Sequence, residues 1–476
     1  MNKAKFLFAV LLVASVAAQA AEITKVIVRQ QWPWSDAIKV EYVIRGVTSP
    51  VDISVTAFDG DTELQVPASA LSGDVCGIDR SCVGTLMIDS LRAFGTDKVN
   101  VGGLKVKLTA SSSPHDPNEV LYKIFDLASG VCEDVTRKDL LNGKWGTVET
   151  DYGRIGAGFK TGLDDVLIWT GVTNNPAYKT DKMVMRKIHA KDVVWHSGDP
   201  EGFVKNHLDS SPRSWIKLTY DYYIGVFEVT LEQYKRMKGS YPADCAKGPE
   251  GKEYLVPANN VWYYDVIGYT MSEYAAFNTV RCNEKLFFPN NTYVRDVGKE
   301  SFCAKMWSKT GCEFTLPTQA EWEFASRGGT DAVLYSGEAQ GPEGVEKLAW
   351  TEADGANVHE VGTKASNAYG LYDTLGNALE RTLSCGNLNA GAISGTGDSE
   401  EDPAVNPVGE KTTSRDAVGL CYGGGAHSDV GYWPDMRSGA RTDWVGYTNK
   451  RTDCGFRLVC PVKSVWGKDW PNIIIE

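Results

Sequence analysis

Residues 367–382 read Asn-Ala-Tyr-Gly-Leu-Tyr-Asp-Thr-Leu-Gly-Asn-Ala-Leu-Glu-Arg-Thr and place oxygen ligands and turn residues unusually close together. Asp373 and Glu380 supply two carboxylates. The residue types that tolerate a positive φ are Gly370, Gly376 and Asn377. Carbonyls that converge in such a turn suit Ca²⁺, which takes about 6 to 8 oxygen ligands. The spacing is not that of an EF-hand, so a cation-binding turn and a polar turn closed by hydrogen bonds both remain open.

Three further segments extend this pattern along the chain. They are Tyr222-Tyr-Ile-Gly-Val-Phe-Glu-Val-Thr-Leu-Glu-Gln-Tyr, Phe314-Thr-Leu-Pro-Thr-Gln-Ala-Glu-Trp-Glu-Phe-Ala-Ser-Arg-Gly-Gly, and Gly423-Gly-Gly followed by Arg437, Arg441 and Gly455-Phe-Arg. Together with residues 367–382 they resemble, in the same order, the signature of the formylglycine-generating enzyme (sulfatase-modifying factor) family. The resemblance covers roughly residues 180 to 462. It implies an α+β domain of C-type-lectin-like fold, rich in irregular loops.

The resemblance also implies a structural calcium ion in residues 367–382. By position its ligands are the side chains of Asp373 and Glu380 and the carbonyls of Gly376 and Ala378. A second calcium site of the family is matched only in part, at Asn357 and the Val358 carbonyl, because the segment that would supply its other carboxylate is shortened.

Active members of the family use two cysteines that hold Cu(I), a soft ion that prefers thiolates. Counting forward from Gly423 places these positions at Ser428 and Trp433, and counting back from Arg437 gives the same register. A hydroxyl and an indole cannot replace two thiolates. Iron-dependent relatives take their histidines largely from a helical domain, whereas the N-terminal region here has a β pattern and one histidine, His115. Neither copper nor iron is therefore expected as a cofactor.

The residues around the missing cysteines predict a concave, partly aromatic ligand-binding surface. It comprises His427, Ser428, Tyr432, Trp433, Arg437, Arg441 and Trp444. Aromatic and arginine side chains are frequent anchors of recognition. The alternative is that these side chains pack inside the fold, and His427 beside Ser428 has no identifiable third partner for catalysis.

We therefore predict a non-catalytic, calcium-stabilised binding or assembly module for a protein or glycan ligand. The alternative is an oxidoreductase of the family, either of the formylglycine-generating type or a non-haem-iron enzyme.

The N-terminus predicts export. Residues 1–20 combine lysines, an apolar run and Ala18-Gln-Ala, as in a signal peptide. No other stretch approaches the roughly 18 apolar residues of a membrane span. A periplasmic, cell-surface or extracellular location follows. The net charge of −12 without a basic stripe argues against nucleic acid as a partner.

Period-two alternation dominates residues 22–127 and predicts an all-β sandwich of immunoglobulin or fibronectin type. One example is Ile38, Val40, Tyr42 and Ile44, and two others run through Val51–Ala57 and Leu104–Leu108. Trp32 and Trp34 are interpreted as core or edge residues rather than a glycan-stacking patch. Residues 128–180 are predicted as a connector, 181–462 as the second domain and 463–476 as a C-terminal tail.

Two helices of the second domain carry capping-box spacing. Thr230 with Gln233 precedes a stripe of Leu231, Tyr234 and Met237, and Thr318 with Glu321 opens a helix that ends at Gly328.

Eleven cysteines in an exported chain can form disulfides, and the odd number leaves at least one unpaired. Cys76 and Cys82 flank a short turn and are predicted to pair across it. The second predicted disulfide, Cys421 with Cys460, follows from the family fold, in which the Gly-Gly and Gly-Phe-Arg strands are antiparallel neighbours.

Overall fold

A computed structural model describes most of the chain. The described residues are 21–98, 100–150, 167–198, 213–268, 299–330, 334, 342–355, 357–383, 392, 394–407, 421–422, 438, 441–442 and 450–462. They divide into two compact units. The first runs to Glu119 and includes Arg137–Lys144, and the second comprises Val120–Thr136 and the chain from Trp145 onward.

In its described residues, the first unit has seven strands and two short α-helices. Its strands are Glu22–Gln30 (β1), Ala37–Arg45 (β2), Val51–Asp59 (β3), Thr62–Leu64 (β4), Leu71–Gly73 (β5), Cys82–Asp89 (β6) and Leu104–Ser112 (β7). Its helices are Ser90–Phe94 (α1) and Arg137–Leu141 (α2), with 3-10 turns at Ala68–Ala70 and Thr96–Lys98. The sheet orders are β1-β2-β6-β5 and β4-β3-β7, with antiparallel neighbours throughout.

The two sheets of this unit share one apolar core. Alternate residues of β2 point inward, and all four of them, Ile38, Val40, Tyr42 and Ile44, are fully buried. They pack in one cluster with Ile53 of β3 and Leu108 of β7, which belong to the other sheet. Period-two alternation therefore predicted these strands correctly, because each buries one face and exposes the other.

The chain enters the second unit earlier than the predicted boundary at residue 127. Residues Val120–Asp126 form a strand, β8, that pairs with Lys182–Ile188 (β12) of the second unit. Five consecutive residues of β8 are buried. A strand that is buried on both faces must have other parts of the protein packed on each face, and for β8 those parts lie in the second unit.

The strands of the second unit are short. They are β8, Cys132–Thr136 (β9), Glu149–Thr150 (β10), Leu167–Ile168 (β11), β12, Val194–Ser197 (β13), Ser214–Lys217 (β14), Tyr222–Gly225 (β15), Leu379–Arg381 (β16), Ala404–Val405 (β17), Cys421–Tyr422 (β18), Arg441–Thr442 (β19), Cys454–Gly455 (β20) and Val459–Pro461 (β21). They form sheets of order β21-β15-β12-β8-β9, β13-β14-β17, β19-β18-β16-β20 and β10-β11. The predicted connector thus contains paired strands.

Five α-helices complete the described part of this unit. They are Leu231–Lys238 (α3), Tyr263–Ile267 (α4), Phe302–Thr310 (α5), Gln319–Arg327 (α6) and Pro342–Leu348 (α7), with 3-10 turns at Thr170–Asn174, Pro176–Lys179 and Glu352–Asp354. Both predicted capping boxes are present, at Thr230 for α3 and at Thr318 for α6. The predicted stripe of α3 is buried in the main core. Within the described residues, no helix combines the length and apolar character that crossing a bilayer requires.

The core part of one interpretation of the N-terminal sequence is wrong, whereas the edge part stays a prediction. Trp34 is 90% exposed and Trp32 is 49% exposed, so neither is a core residue. Both lie in the turn between β1 and β2, where the chain reverses outside the sheets.

Candidate functional site

The four segments that define the sequence pattern meet in one buried cluster of the second unit. Glu228 comes from the first segment, Trp322 from the second, Glu380 from the third and Arg457 from the fourth. All four side chains are at most 1% exposed. Residues far apart in sequence therefore supply one contiguous set of charged and polar groups.

The segment 367–382 is attached to the end of helix α6. The Asn367 side chain donates to the carbonyls of Ala325 and Ser326 at 2.7 and 3.0 Å. Its Oδ1 accepts from the backbone N–H groups of Tyr369 and Leu371, at 3.0 Å in both cases. Asn367 thus has two roles. It donates to carbonyls at the C-terminus of the helix, which lack partners within the helix, and it closes the turn by accepting from two backbone N–H groups.

Positive φ angles shape this turn, as the glycine and asparagine content indicated. Gly370, Gly376 and Asn377 have φ of 75°, 73° and 58°. Asp373 also has a positive φ, 54°, which the sequence did not predict. A Cβ at Gly376 would lie 2.4 Å from the Trp350 carbonyl oxygen, so glycine is required there for space as well as for conformation.

Glu380 is bound by Arg457 in a bidentate ion pair. Arg457 Nε lies 2.6 Å from Oε2 and Nη2 lies 2.6 Å from Oε1, while Trp322 Nε1 donates to Oε2 at 2.8 Å. Arg457 also donates to the carbonyls of Gly225 and Tyr372 at 3.1 and 2.9 Å. With the Asp373 carbonyl at 3.3 Å, the guanidinium makes five hydrogen bonds to oxygen atoms.

Two further carboxyl groups lie beside this pair. Glu228 accepts from Asn377 Nδ2 at 2.9 Å and from the Ala378 N–H at 3.1 Å. Asp373 Oδ2 accepts from the Gly362 N–H at 2.6 Å. Burial, followed by the charges of Asp373 and Glu380, raises the pKa of Glu228 well above its ordinary value. Burial likewise raises the pKa of Asp373 to about 6.

The donor set fits calcium in part. All its candidate ligands are hard oxygens, and of the three buried carboxyl groups it is Glu380 that Arg457 pairs with. Glu380, however, is already engaged by Arg457 and Trp322. Among the described residues, no three His, Cys, Asp or Glu side chains are arranged to hold a metal ion. The calcium site at Asp373, Gly376, Ala378 and Glu380 therefore stays a prediction, and the charge of Glu380 is balanced by Arg457.

The second predicted calcium position has fewer candidate ligands than the first. Asn357 is exposed, and its side-chain amide donates to the Gly355 carbonyl at 3.1 Å. Val358 is buried at 2% exposure. Among the residues that the structure describes, no carboxylate group joins this pair into a metal-holding cluster, and the site stays a prediction.

The predicted ligand-binding surface lies almost entirely outside the described residues. This holds for His427, Ser428, Tyr432, Trp433, Arg437 and Trp444. Arg441 is described through its backbone, which begins β19 and pairs with Tyr422 of β18. The surface therefore remains a prediction from the sequence.

The strands that carry Cys421 and Cys460 are arranged differently from what the family resemblance implied. Strand β16 lies between β18 and β20, so the Gly-Gly and Gly-Phe-Arg strands are not neighbours. Cys460 lies instead in β21, at the edge of another sheet. The Cys421 side chain lies outside the described part of the structure, but Cys460 is a free thiol, so this predicted bridge is not formed.

Cys76 and Cys82 are both free thiols in the structure, so the predicted bridge is not formed. Cys76 is buried and its thiol is hydrogen bonded to Asp52, whereas Cys82 begins β6. The Cys76 thiol therefore interacts with Asp52 and not with Cys82.

Taken together, the second unit is a β-rich domain with few helices, built around a buried carboxylate–arginine cluster. Residues 182–462 match the family model described as "Sulfatase-modifying factor enzyme 1-like domain", and the chain belongs to this family. The family includes formylglycine-generating enzymes, which are oxidoreductases. The family assignment from the four segments is thereby confirmed.

Two curated relatives match part of the chain. "Chaperone protein LppX" of Paenibacillus barcinonensis is 27% identical over 183 residues, which are 34% of this chain and 61% of the relative. "Formylglycine-generating enzyme" of Mycobacterium tuberculosis is 39% identical over 77 residues, 14% of this chain and 26% of the relative. The chain thus spans less than two thirds of the length of either relative.

Two solved structures are similar to the chain. "Treponema denticola variable protein 1" has a TM-score of 0.39 and 23% identity, and covers 59% of this chain and 95% of its own. PvdO from Pseudomonas aeruginosa has a TM-score of 0.43 and 19% identity, covering 59% and 94%. Likeness at this level adds nothing about activity.

Proposed function

We propose that the protein is an exported binding or assembly module of this family that does not convert cysteine to formylglycine. The observation that carries the proposal is the pair Ser428 and Trp433, which stand where the family resemblance places the two copper-binding cysteines. Cu(I) has no soft ligand pair there.

The described cluster supports the proposal by giving the retained signature residues a structural role. Glu228, Trp322, Glu380 and Arg457 bind one another or the backbone of residues 367–382. These interactions hold the four signature segments together without any chemistry on a substrate. A chain can therefore keep this part of the signature for stability after its catalytic thiols are gone.

The proposed ligand is a protein or a glycan, held by the surface from His427 to Trp444. One partial relative is named a chaperone, which fits a role in binding or assembly. Screening on glycan and peptide arrays tests this. Binding that is lost in Trp433→Ala and kept in Trp262→Ala, an exposed tryptophan elsewhere in the chain, supports the surface. Equal binding by both variants contradicts it.

Calcium is part of the proposal, as a structural ion held by Asp373 with the carbonyls of Gly376 and Ala378. Its support is the burial of three carboxyl groups, those of Glu228, Asp373 and Glu380, in one cluster with the single guanidinium of Arg457 among the described residues. When bound, such an ion would neutralise carboxylate charge and draw the two carbonyls toward one point.

The second candidate function is an oxidoreductase of the same family, and the match to formylglycine-generating enzymes favours it. The decisive assay incubates the protein with a Cys-x-Pro-x-Arg peptide, copper and oxygen, followed by mass spectrometry. We expect the peptide thiol to remain. Aldehyde formation at an enzymatic rate, or copper or iron bound in stoichiometric amount to purified protein, would overturn the proposal.

A double variant sharpens this assay. If Ser428→Cys with Trp433→Cys gains peptide oxidation while Ser428→Cys alone does not, the missing thiol pair accounts for the inactivity. The single variant is the matched control, because it adds one thiol without creating a pair that could hold Cu(I).

We further propose that the first unit is an immunoglobulin-type sandwich that lacks its last strand. The support is the shared core of its two antiparallel sheets and the pairing of β2 with β6 and of β3 with β7. The strand that would complete such a sandwich after β7 is β8, which pairs in the second unit.

A further inference from the structure

Two buried thiols of the second unit contact each other. Cys312 follows helix α5, and Cys460 is the middle residue of β21. Both side chains are 0% exposed. Their thiols are within hydrogen-bonding contact of one another, and neither is bonded in a disulfide.

The backbone holds these cysteines together from both sides. Thr315, shortly after Cys312, forms an antiparallel bridge with Val459, which directly precedes Cys460. The Thr315 N–H donates to the Val459 carbonyl at 3.0 Å, and the Val459 N–H donates to the Thr315 carbonyl at 2.8 Å. The approach of the two thiols therefore depends on paired backbone as well as on side-chain rotamers.

The surroundings are apolar. Cys312 and Cys460 belong to the main core cluster, together with Phe314 and Phe125. The ring centroids of these two phenylalanines are 5.0 Å apart. Burial raises the pKa of Cys312 well above its ordinary value. A thiolate is costly in such a place, whereas a disulfide carries no charge and removes two weakly polar S–H groups from the core.

A third thiol limits the possible pairings. Cys132 begins β9 and packs against the same cluster, and it is half-buried rather than fully enclosed. Its Sγ lies 3.9 Å from Asp134 Oδ1, a carboxylate that Lys123 Nζ also contacts at 2.6 Å. Cys132 is close enough to Cys312 and Cys460 to interact with both electrostatically, but its thiol is hydrogen bonded to Asp134, whereas the other two thiols are hydrogen bonded to each other.

We propose that Cys312 and Cys460 are an oxidation site that forms a disulfide, linking the segment after α5 to the last described strand. The reactant is a low-molecular-weight disulfide. Before the core closes around the pair, the thiolate of one cysteine attacks it and forms a mixed disulfide, releasing one small thiol. The second cysteine sulfur then attacks the first, forming the Cys312–Cys460 bond and releasing the second small thiol. Two cysteine thiols are oxidised and one external disulfide is reduced, with both protons passing to the released thiols.

The test refolds the reduced, denatured full-length protein in a mixture of reduced and oxidised glutathione, alkylates it in denaturant and maps its peptides without reduction. We expect a linked peptide pair containing Cys312 and Cys460, with Cys132 and Cys245 both alkylated. Alkylation of Cys312 and Cys460 after oxidation overturns the proposal, as does a bridge from Cys460 to Cys421 or Cys132.

Variants provide the control. Cys245 is partly exposed in the same unit and serves as the matched residue, so Cys245→Ser should keep the linked pair and Cys460→Ser should lose it. The wild-type map needs no variant, so misfolding of Cys460→Ser would leave the test intact. The outcome is independent of the proposed binding function, since it depends on no residue of the surface from His427 to Trp444.

Discussion

Arg457 and Glu380 form a two-point ion pair in the interior of the second unit, with both nitrogen–oxygen distances at 2.6 Å and both residues 0% exposed. We expect Glu380→Gln to destabilise this unit by about 3–5 kcal/mol, because removing one member of a buried pair leaves the other charge uncompensated. Urea unfolding followed by tryptophan fluorescence measures the loss.

An exposed pair serves as the control for this measurement. Asp61 is 3.2 Å from Lys105 at the surface of the first unit, and both side chains are largely exposed. Asp61→Asn should cost about 0–1 kcal/mol, since water and salt screen such a pair. Equal losses in the two variants would show that Arg457 and Glu380 do not carry the stability assigned to them.

The N-cap of helix α6 is expected to contribute measurably to stability. Thr318 Oγ1 accepts from the Glu321 N–H at 3.2 Å, and Glu321 accepts from the Thr318 N–H at 2.7 Å. Thr318→Ala should cost about 1 kcal/mol through the lost cap. Thr318→Ser retains the hydroxyl and should recover most of that loss in the same thermal unfolding assay; no recovery would point to lost packing instead.

Calcium removal should lower the thermal stability of the second unit. We expect a chelator to decrease the Tm of the wild-type protein and added Ca²⁺ to restore it, because buried carboxyl groups would otherwise face one another. Asp373→Asn should abolish the response to the chelator. Glu380→Gln should lower the Tm by the same amount with and without Ca²⁺, since Arg457 balances that residue.

The control for the calcium experiment is Glu352→Gln, an exposed carboxylate outside residues 367–382. It should respond to the chelator like the wild type. A wild-type Tm that does not change with chelator would contradict calcium at Asp373.

Asn142 should stabilise the first unit although it lies beyond β7 in sequence. Its Oδ1 accepts from the N–H groups of Val75 and Cys76 at 3.2 and 2.9 Å. Asn142→Ala should cost about 1–3 kcal/mol because the Cys76 N–H loses this acceptor, whereas the Val75 N–H keeps the Gly73 carbonyl at 2.9 Å. Asn142→Asp keeps an acceptor and should cost less; an equal loss in the unfolding transition of both variants would indicate that the carbonyl oxygen is not the important group.

Sequence alone determined the features that depend on residues close together in the chain. The capping boxes at Thr230 and Thr318 join residues one helical turn apart, so spacing suffices to predict them. Strands β2, β3 and β7 follow from alternation, which a half-buried strand imposes on its own sequence. The family was also identified from local segments, because each keeps its order and spacing.

Only the tertiary structure decided which distant residues meet. Arg457 was part of the quoted Gly-Phe-Arg motif, but its partnership with Glu380 depends on β16 and β20 lying side by side. The sequence of strand β8 has no pattern that indicates which unit it belongs to. Its pairing with β12 and its burial on both faces place it in the second unit. Cys460 meets Cys312 because a backbone bridge at Thr315 brings them together. In each case the deciding interaction joins segments far apart in sequence. The spacing of residues along the chain does not predict such a contact, because the contact depends on how the strands pair in the folded sheets.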